Sequence, residues 1–324
     1  MLEETIERIK PQIPVDNIRI VTGESMTKHI LNRIDDIDRR HILTEPFGRN
    51  TCLAIGLAAI HLVQEDEDAV MTVLSSDHLI RPAEKLLSLI ETGCGIAAEE
   101  DCLITIGISP TRPETGYGYI KLGDLYRTQA GTNVYSVSAF TEKPKVTVAQ
   151  EYYYSRKYLW NSGMFIWSAR TVLNEIAEHQ PEMSVALNEY AAFIGTEKEE
   201  AARLELYEKA ASISIDYAVL ENAGNVLTIK ADIVWDDVGS WNALERIKER
   251  DGENNVLVGE TELLDTFETT VYNDSDGIIA CIGVSDLVVV RSTDITLVVH
   301  KTKTGDVKQL LARLAKDDAK KKYL

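Results

Sequence analysis

Short β-branched runs alternate with amphipathic helical runs along most of this chain, and that alternation restricts the fold more than any other feature. Candidate strands are Ile18–Val21, His41–Leu43, Val70–Leu74, Leu103–Ile108, Val134–Phe140, Met164–Trp167 and Val226–Ile229. Candidate helices lie near Glu3–Lys10, Thr51–Val63, Ala83–Ala98, Val146–Tyr153, Val172–His179, Ala201–Ala211 and Trp241–Arg250. The pattern predicts an α/β fold with a mostly parallel sheet and helices on both faces. Pro11 and Gly93 read as punctuation.

The character changes after Asp251-Gly252-Glu253-Asn254-Asn255. Short runs follow at Asn255–Val258, Glu268–Tyr272, Gly277–Ile282, Leu287–Arg291 and Ile295–His300, separated by Asn, Asp and Gly. They predict a small β-rich domain over 251–324, closing with a helix at Asp306–Leu314, after a larger domain over 1–250. The 324 residues suffice for both. No convincing internal repeat is visible.

A formal charge of −18 argues against general nucleic-acid binding, which needs a basic surface. A local cluster or a bridging divalent cation can still receive phosphate. No apolar run is long enough to span a bilayer, and the acidic, helix-patterned Met1–Arg8 is unlike a secretory signal. A cytoplasmic location is the default expectation. Cys52, Cys94, Cys102 and Cys281 form no CxxC pair, which predicts free thiols.

Polar clusters fall just past the carboxyl ends of the candidate strands. Glu45-Pro46-Phe47-Gly48-Arg49-Asn50-Thr51, Ser75-Ser76-Asp77-His78, Glu142-Lys143-Pro144 and Asp236-Asp237-Val238-Gly239-Ser240-Trp241 each follow one. Ligands of open α/β sheets bind outside those ends, so four clusters on one edge predict one shared site. Asp77 reads either as a divalent-cation ligand or as a helix N-cap, with Asp237 as the natural second ligand; hard oxygen donors suit magnesium. Asn50 and Thr51 either present a helix N-terminus to an anion or base edge, or merely cap it. Pro113–Tyr119 reads as a close backbone approach at Gly116 and Gly118, or as a hairpin turn. Glu142 and Lys143 suit a sugar hydroxyl beside a phosphate, or form an exposed ion pair. Trp160-Asn161-Ser162-Gly163-Met164-Phe165 puts an amide inside an apolar stretch, and its plainer reading is a turn leading into a core strand.

In this order, these words resemble the mannose-1-phosphate guanylyltransferases. The resemblance rests on Glu45-Pro46 with Gly48–Thr51, Ser76-Asp77-His78, Pro110–Ile120, Phe140 with Glu142-Lys143-Pro144, and Trp160–Phe165. It continues through Ser214–Tyr217 with Glu221, and Trp235 with Asp237–Trp241. It covers essentially the whole chain. It implies a Rossmann-like fold of the nucleotide-diphospho-sugar transferase type and the reaction of GTP with mannose 1-phosphate to GDP-mannose and pyrophosphate. It implies that Asp77 and Asp237 hold Mg2+. It places Glu45, Pro46, Arg49, Asn50, Thr51 and Ser76 near the nucleotide. Gly116, Tyr117, Gly118, Glu142 and Asn161 would hold mannose, with Lys143 on its phosphate.

It further implies a homodimer, with the small β-rich domain at its contacts. The family opens with a buried strand and a glycine-rich phosphate loop; Met1-Leu2-Glu3-Glu4-Thr5 instead matches the helix that follows them. The chemistry expected is an in-line attack by the sugar phosphate on the α-phosphorus, with Lys143 and the cation offsetting charge repulsion. Two other readings stay open. One is a catalytically silent sugar-nucleotide-binding or assembly homologue; the other is a pyrophosphorylase for another base or sugar.

Overall fold

A computed structural model describes residues Met1–Tyr323. The chain forms two compact units, Met1–Trp235 and Asp236–Leu324, so the division falls after Trp235.

In the first unit, α1 (Leu2–Ile9), β1 (Ile20–Gly23), α2 (Glu24–Arg33) and β2 (Ile42–Glu45) come first. Strands β1 and β2 pair in parallel. Their packing is almost entirely isoleucine: Ile6, Ile9, Ile20, Ile30 and Ile42 share one cluster. Next come α3 (Asn50–Glu65), β3 (Val70–Val73), β4 (Leu79–Arg81), α4 (Ala83–Glu99) and β5 (Leu103–Ile108). They are followed by β6 (Tyr119–Gln129), β7 (Thr132–Thr141), α5 (Val146–Ser155) and β8 (Tyr158–Ser168). The series ends with α6 (Ala169–His179), α7 (Pro181–Ala191), α8 (Glu199–Lys209), β9 (Val226–Ala231) and β10 (Val234–Asp236).

Six strands form the main sheet in the order β3-β8-β5-β9-β7-β6. β5 and β9 pair in parallel. β8 inserts antiparallel between β3 and β5, so those two strands still point the same way as β9. β6 and β7 form a long hairpin turned at Ala130 and Gly131, both at positive φ. β3, β5 and β9 run in the expected common direction, with β5 and β9 paired directly in parallel, while β8 and the hairpin run the other way or supply antiparallel ladders. β6 and the full length of β8 were not anticipated, because their polar and glycine residues break the alternation.

All six residues of β5 are buried, as a central strand covered on both faces requires. On one face Leu103, Phe165 and Trp167 pack with α3, α6, α7 and α8. On the other, Ile104, Ile106, Met164 and Ile166 pack with α4 and with Ala149 of α5. Gly93 is not punctuation: it lies inside α4, where a Cβ would overlap Ile166 Cδ1. The close approach of helix to sheet explains a residue that is otherwise costly in a helix. Among the described residues no helix is long and apolar enough to cross a membrane.

The second unit contains α9 (Leu244–Ile247), β11 (Val256–Val258), β12 (Thr261–Leu264) and β13 (Thr270–Asn273). It continues with β14 (Ile279–Ile282), β15 (Leu287–Ser292), β16 (Ile295–His300) and α10 (Val307–Leu314). The helix expected at Trp241–Arg250 is cut to a 3₁₀ turn and the four residues of α9. Asn242 and Glu245 are drawn away to Lys301, Asn242 Nδ2 donating to its carbonyl and Glu245 forming an ion pair of 2.8 Å.

β11, β13 and β15 stack in parallel, as do β12 and β14. Thr261 pairs with Ile279, Thr270 with Val288 and Phe267 with Ser285, each pair 18 residues apart. The unit is thus a short parallel coil whose step from β13 to β15 is 18 residues and whose step from β11 to β13 is 14, a repeat that its sequence does not display. Identity is kept at few inward positions, such as Val271 stacked on Val289. Asn255 and Asn273 are both buried, before β11 and at the end of β13. Asn255 accepts from Thr269 N and donates to Thr266 O, and Asn273 donates to Glu260 O and Gly277 O. Such paired amides satisfy corner backbone groups that no ladder reaches.

Candidate active site

Strand β8 is where the sequence and the sheet disagree, and the site is built around that disagreement. Its pairing with β5 slips between Thr105 and Gly107. At the slip Gly163 adopts φ +71, and Ser162 Oγ donates to the Ile106 carbonyl at 2.6 Å. Asn161-Ser162-Gly163 is therefore a bulge within a long strand, not a turn before a short one. Bulges re-aim side chains, and here Asn161 is held at several points. Its N–H donates to the Gly118 carbonyl at 2.8 Å. Its Oδ1 accepts from Thr105 Oγ1 at 3.0 Å, and its Nδ2 donates to Asp216 Oδ1 at 2.8 Å.

Glu142 follows β7 and faces the same place. Its side chain is only 7% exposed. Oε1 takes a 2.7 Å bond from Lys143 Nζ, while Oε2 is buried without a hydrogen-bond partner. Gly118 sits against it: a Cβ there would overlap Glu142 Oε2 and lie 3.2 Å from Asn161 Cβ. Gly118 is not at positive φ, so space rather than conformation calls for glycine. Burial pushes the Glu142 carboxyl above its ordinary range, with the Lys143 bond opposing. The bond to Glu142 raises Lys143, whose ammonium is more than half exposed. The plainer reading of an exposed ion pair therefore holds for Lys143 and not for the Glu142 side chain.

The Pro113–Tyr119 segment is not a hairpin, because β5 and β6 do not pair. Glu114 organises it, accepting from Thr115 N and Gly116 N at 3.0 and 3.1 Å. Gly116 is exposed and Tyr117 is buried, its ring 5.2 Å from Trp160 and 5.0 Å from Trp235.

Asp77 lies in the turn between β3 and β4, so it caps no helix. It is exposed and has no hydrogen bond or ion pair among the described residues. Helix α1 holds the turn from behind: Thr5 Oγ1 donates to the Ser76 carbonyl and Arg8 Nη2 to the His78 carbonyl. Trp235 Nε1 donates to His78 Nδ1 at 3.2 Å. The Cβ position of Gly163 is 3.8 Å from Ser75 Oγ and 3.9 Å from His78 Cε1. The β8 bulge thus joins the Ser75–His78 turn to the Glu142–Asn161 recess on one edge.

The start of α3 reaches that edge through Thr51, whose Oγ1 accepts from Ile215 N at 2.9 Å, next to Asp216. Cys52 N donates to the Ile213 carbonyl, so this helix N-terminus is partly satisfied by the chain itself. Asn50, at φ +65, accepts from Thr51 N rather than capping the next turn. Arg49 Nε bonds the Tyr207 carbonyl, and its guanidinium lies 4.9 Å from the Phe47 ring centre. Glu45 accepts from Tyr207 Oη, and burial raises its carboxyl; Pro46 and Ser76 are exposed.

In the second unit Asp236 is buried and paired with Arg246 through two bonds. Asp237 is half-buried and accepts from Gly239 N at 3.3 Å, with Val238 at φ +47 between them. The strained turn sends the two neighbouring aspartates to different tasks.

Asp216 and Glu221 are the residues that sequence reasoning left without a role. Their partners are 55 and 79 positions away, beyond any local pattern. An open recess lined by Lys85, Asn133, Tyr135, Lys230 and Asp232 contains none of the groups above. The four cysteines are free, and burial pushes the Cys52 thiol up to about 12, which leaves it inert.

A three-layer α/β unit that clusters carboxylates and an amide past its strand ends, and a unit that is a parallel β-coil, define the class of fold. The nucleotidyl transferase family matches residues 1–254, and the chain belongs to it. Residues 259–314 match the MannoseP isomerase/GMP-like beta-helix domain. The chain is 35% identical over 329 residues to mannose-1-phosphate guanylyltransferase RfbM of Salmonella typhimurium, spanning 98% of this chain and 66% of that one. It is 39% identical over 276 residues to xanthan biosynthesis protein XanB of Xanthomonas campestris pv. campestris, spanning 84% and 57%. A crystal structure described as mannose-1-phosphate geranyltransferase from Thermus thermophilus superposes with a TM-score of 0.84 at 34% identity, covering 97% of this chain and 89% of that one. The chain spans about two thirds or less of the length of the curated relatives just named.

Proposed function

We propose that this protein transfers a guanylyl group from GTP to mannose 1-phosphate, giving GDP-mannose and pyrophosphate. The observation that carries the reading is the buried, unpartnered Oε2 of Glu142 facing Gly118, beside Asn161 and the Lys143 ammonium. A buried carboxylate oxygen without a donor is costly. A sugar hydroxyl supplies that donor, and the phosphate on the same sugar meets Lys143. The names of the relatives supply the identity of base and sugar.

In this reading a phosphate oxygen of mannose 1-phosphate attacks the α-phosphorus of GTP. The bond from that phosphorus to the bridging oxygen breaks, and pyrophosphate leaves with the electron pair. No protein nucleophile is needed, because the attacking group is already an anion. Lys143 offsets the repulsion between the two polyanions, and Glu142 and Asn161 fix the sugar. Glu45, Pro46, Arg49, Asn50, Thr51 and Ser76 line the nucleotide side, and Gly116, Tyr117 and Gly118 the sugar side.

Asp77 is a carboxylate with uncommitted oxygens, and Asp237 offers a second hard donor; each is of the kind that Mg2+ takes. When bound, the ion would neutralise charge on the phosphates. The same reading carries a homodimer and a cytoplasmic location.

The test is pyrophosphate release with GTP, mannose 1-phosphate and Mg2+. Wild type turns over, and Asp237→Asn falls by about 100-fold or more with an unchanged melting temperature, the scale for removing a group that acts on transition-state charge. No turnover by wild type would reject the activity. Full turnover by the variant would reject the role of Asp237.

A further inference from the structure

Asp216–Leu220 form a single π-helical turn, closed by the capping Glu221 N on the Asp216 carbonyl at 3.0 Å. Such turns recur at functional sites, because the extra residue re-aims the side chains that flank it. Both flanking residues here are carboxylates, and each holds one side of the recess. Asp216 Oδ1 accepts from Asn161 Nδ2 at 2.8 Å, and Glu221 Oε1 accepts from Glu142 N at 3.1 Å.

The Asn161 amide has only one satisfactory orientation. Thr105 Oγ1 and Gly163 N both point at Oδ1, at 3.0 and 3.3 Å. Turning the amide over would set its NH2 against the Gly163 N–H and its carbonyl against a carboxylate. In the orientation Asp216 enforces, the second Nδ2 hydrogen has no partner among the described residues. Across the Gly118 backbone, Glu142 Oε2 is a buried acceptor without a donor. One free donor and one free acceptor thus flank the same glycine.

Resting on the activity proposed above, we propose that Asp216 is a positioning residue for sugar recognition. It locks the Asn161 amide so that Asn161 donates to, and Glu142 accepts from, a hydroxyl pair of the bound sugar phosphate. It does not touch the sugar itself. Asp216 is half-buried, and its Oδ1 takes the Asn161 amide hydrogen directly.

Equilibrium binding of mannose 1-phosphate and of GTP to the full chain tests this, using wild type, Asp216→Ala and Asp216→Asn. Asn keeps an acceptor oxygen where Ala has none. Loss of this acceptor should weaken mannose 1-phosphate binding by about tenfold in the Ala variant, the scale of one charge-assisted hydrogen bond. GTP affinity stays within about twofold, and Asp216→Asn within about threefold of wild type for both ligands. Unchanged mannose 1-phosphate affinity in Asp216→Ala overturns the role. So does a parallel loss of GTP affinity, which marks a general structural effect, or an Asn variant as weak as the Ala variant. Asp216→Asn retains the buried packing, so it reports even where Asp216→Ala fails to fold. Wild type that binds no mannose 1-phosphate overturns the parent reading and this role with it. Wild-type binding that survives Asp216→Ala overturns this role alone.

Discussion

Two partly or fully shielded carboxyls, Asp216 and Glu142, carry the proposed sugar recognition at the scale of single residues. Burial is the leading influence on both and raises both. For Asp216 the consequence for stability has a definite sign. A carboxyl raised in the folded state contributes stability that is full below its unfolded value, near pH 4, and is lost as pH rises through its folded value. Above that window the ionised group is a cost, set against Asn161, Ser214 and Lys143. Asp216→Asn cannot ionise and keeps the acceptor. Its melting temperature, measured against wild type, should therefore gain from pH 4 to pH 7.5, and a difference that stays flat with pH would contradict the assignment. Glu142, Lys143 and Asn161 were visible in the sequence because a charged or amide residue at the end of, or within, an apolar run is conspicuous. Asp216 was seen only as part of a family word. Its meaning comes from Asn161, and no spacing rule links positions so far apart.

At the scale of elements, the helices and the crossover strands were legible because periodicity governs both. What escaped was made by interruption. β8 reads as two pieces because Asn161, Ser162 and Gly163 break its apolar run, yet the Ser162–Ile106 bond and the left-handed Gly163 carry the strand through. Gly93 looks like a helix breaker until Ile166 of β8 is placed beneath it. The coil of the second unit hides its repeat because its steps differ in length, 14 and 18 residues, and little but backbone pairing recurs. Its corners are demanding. Gly259, at φ +80 between β11 and β12, lies so close to the Asn273 carbonyl that a Cβ would overlap its oxygen. Gly259→Ala combines steric overlap with an unfavourable φ and should destabilise by about 2–4 kcal/mol. Chemical denaturation followed at Trp241, which packs on Tyr272 in that unit, reads the loss; an unshifted midpoint would show that the corner can relax.

For the molecule as a whole, the chain combines an α/β unit that carries the recess with a coil unit that carries Asp237. With a net charge of −18, the proposed phosphate binding would rest on Lys143 and any bound cation, not on the general field. The proposed activity depends on where the sugar goes. A crystal structure of the chain with mannose 1-phosphate decides this most directly. The prediction is a sugar hydroxyl within about 2.5–3.2 Å of Glu142 Oε2, with a second hydroxyl on Asn161 Nδ2 and the phosphate at Lys143. Sugar density elsewhere, for instance in the recess lined by Lys85, Asn133 and Lys230 with Glu142 Oε2 still unpartnered, would contradict it.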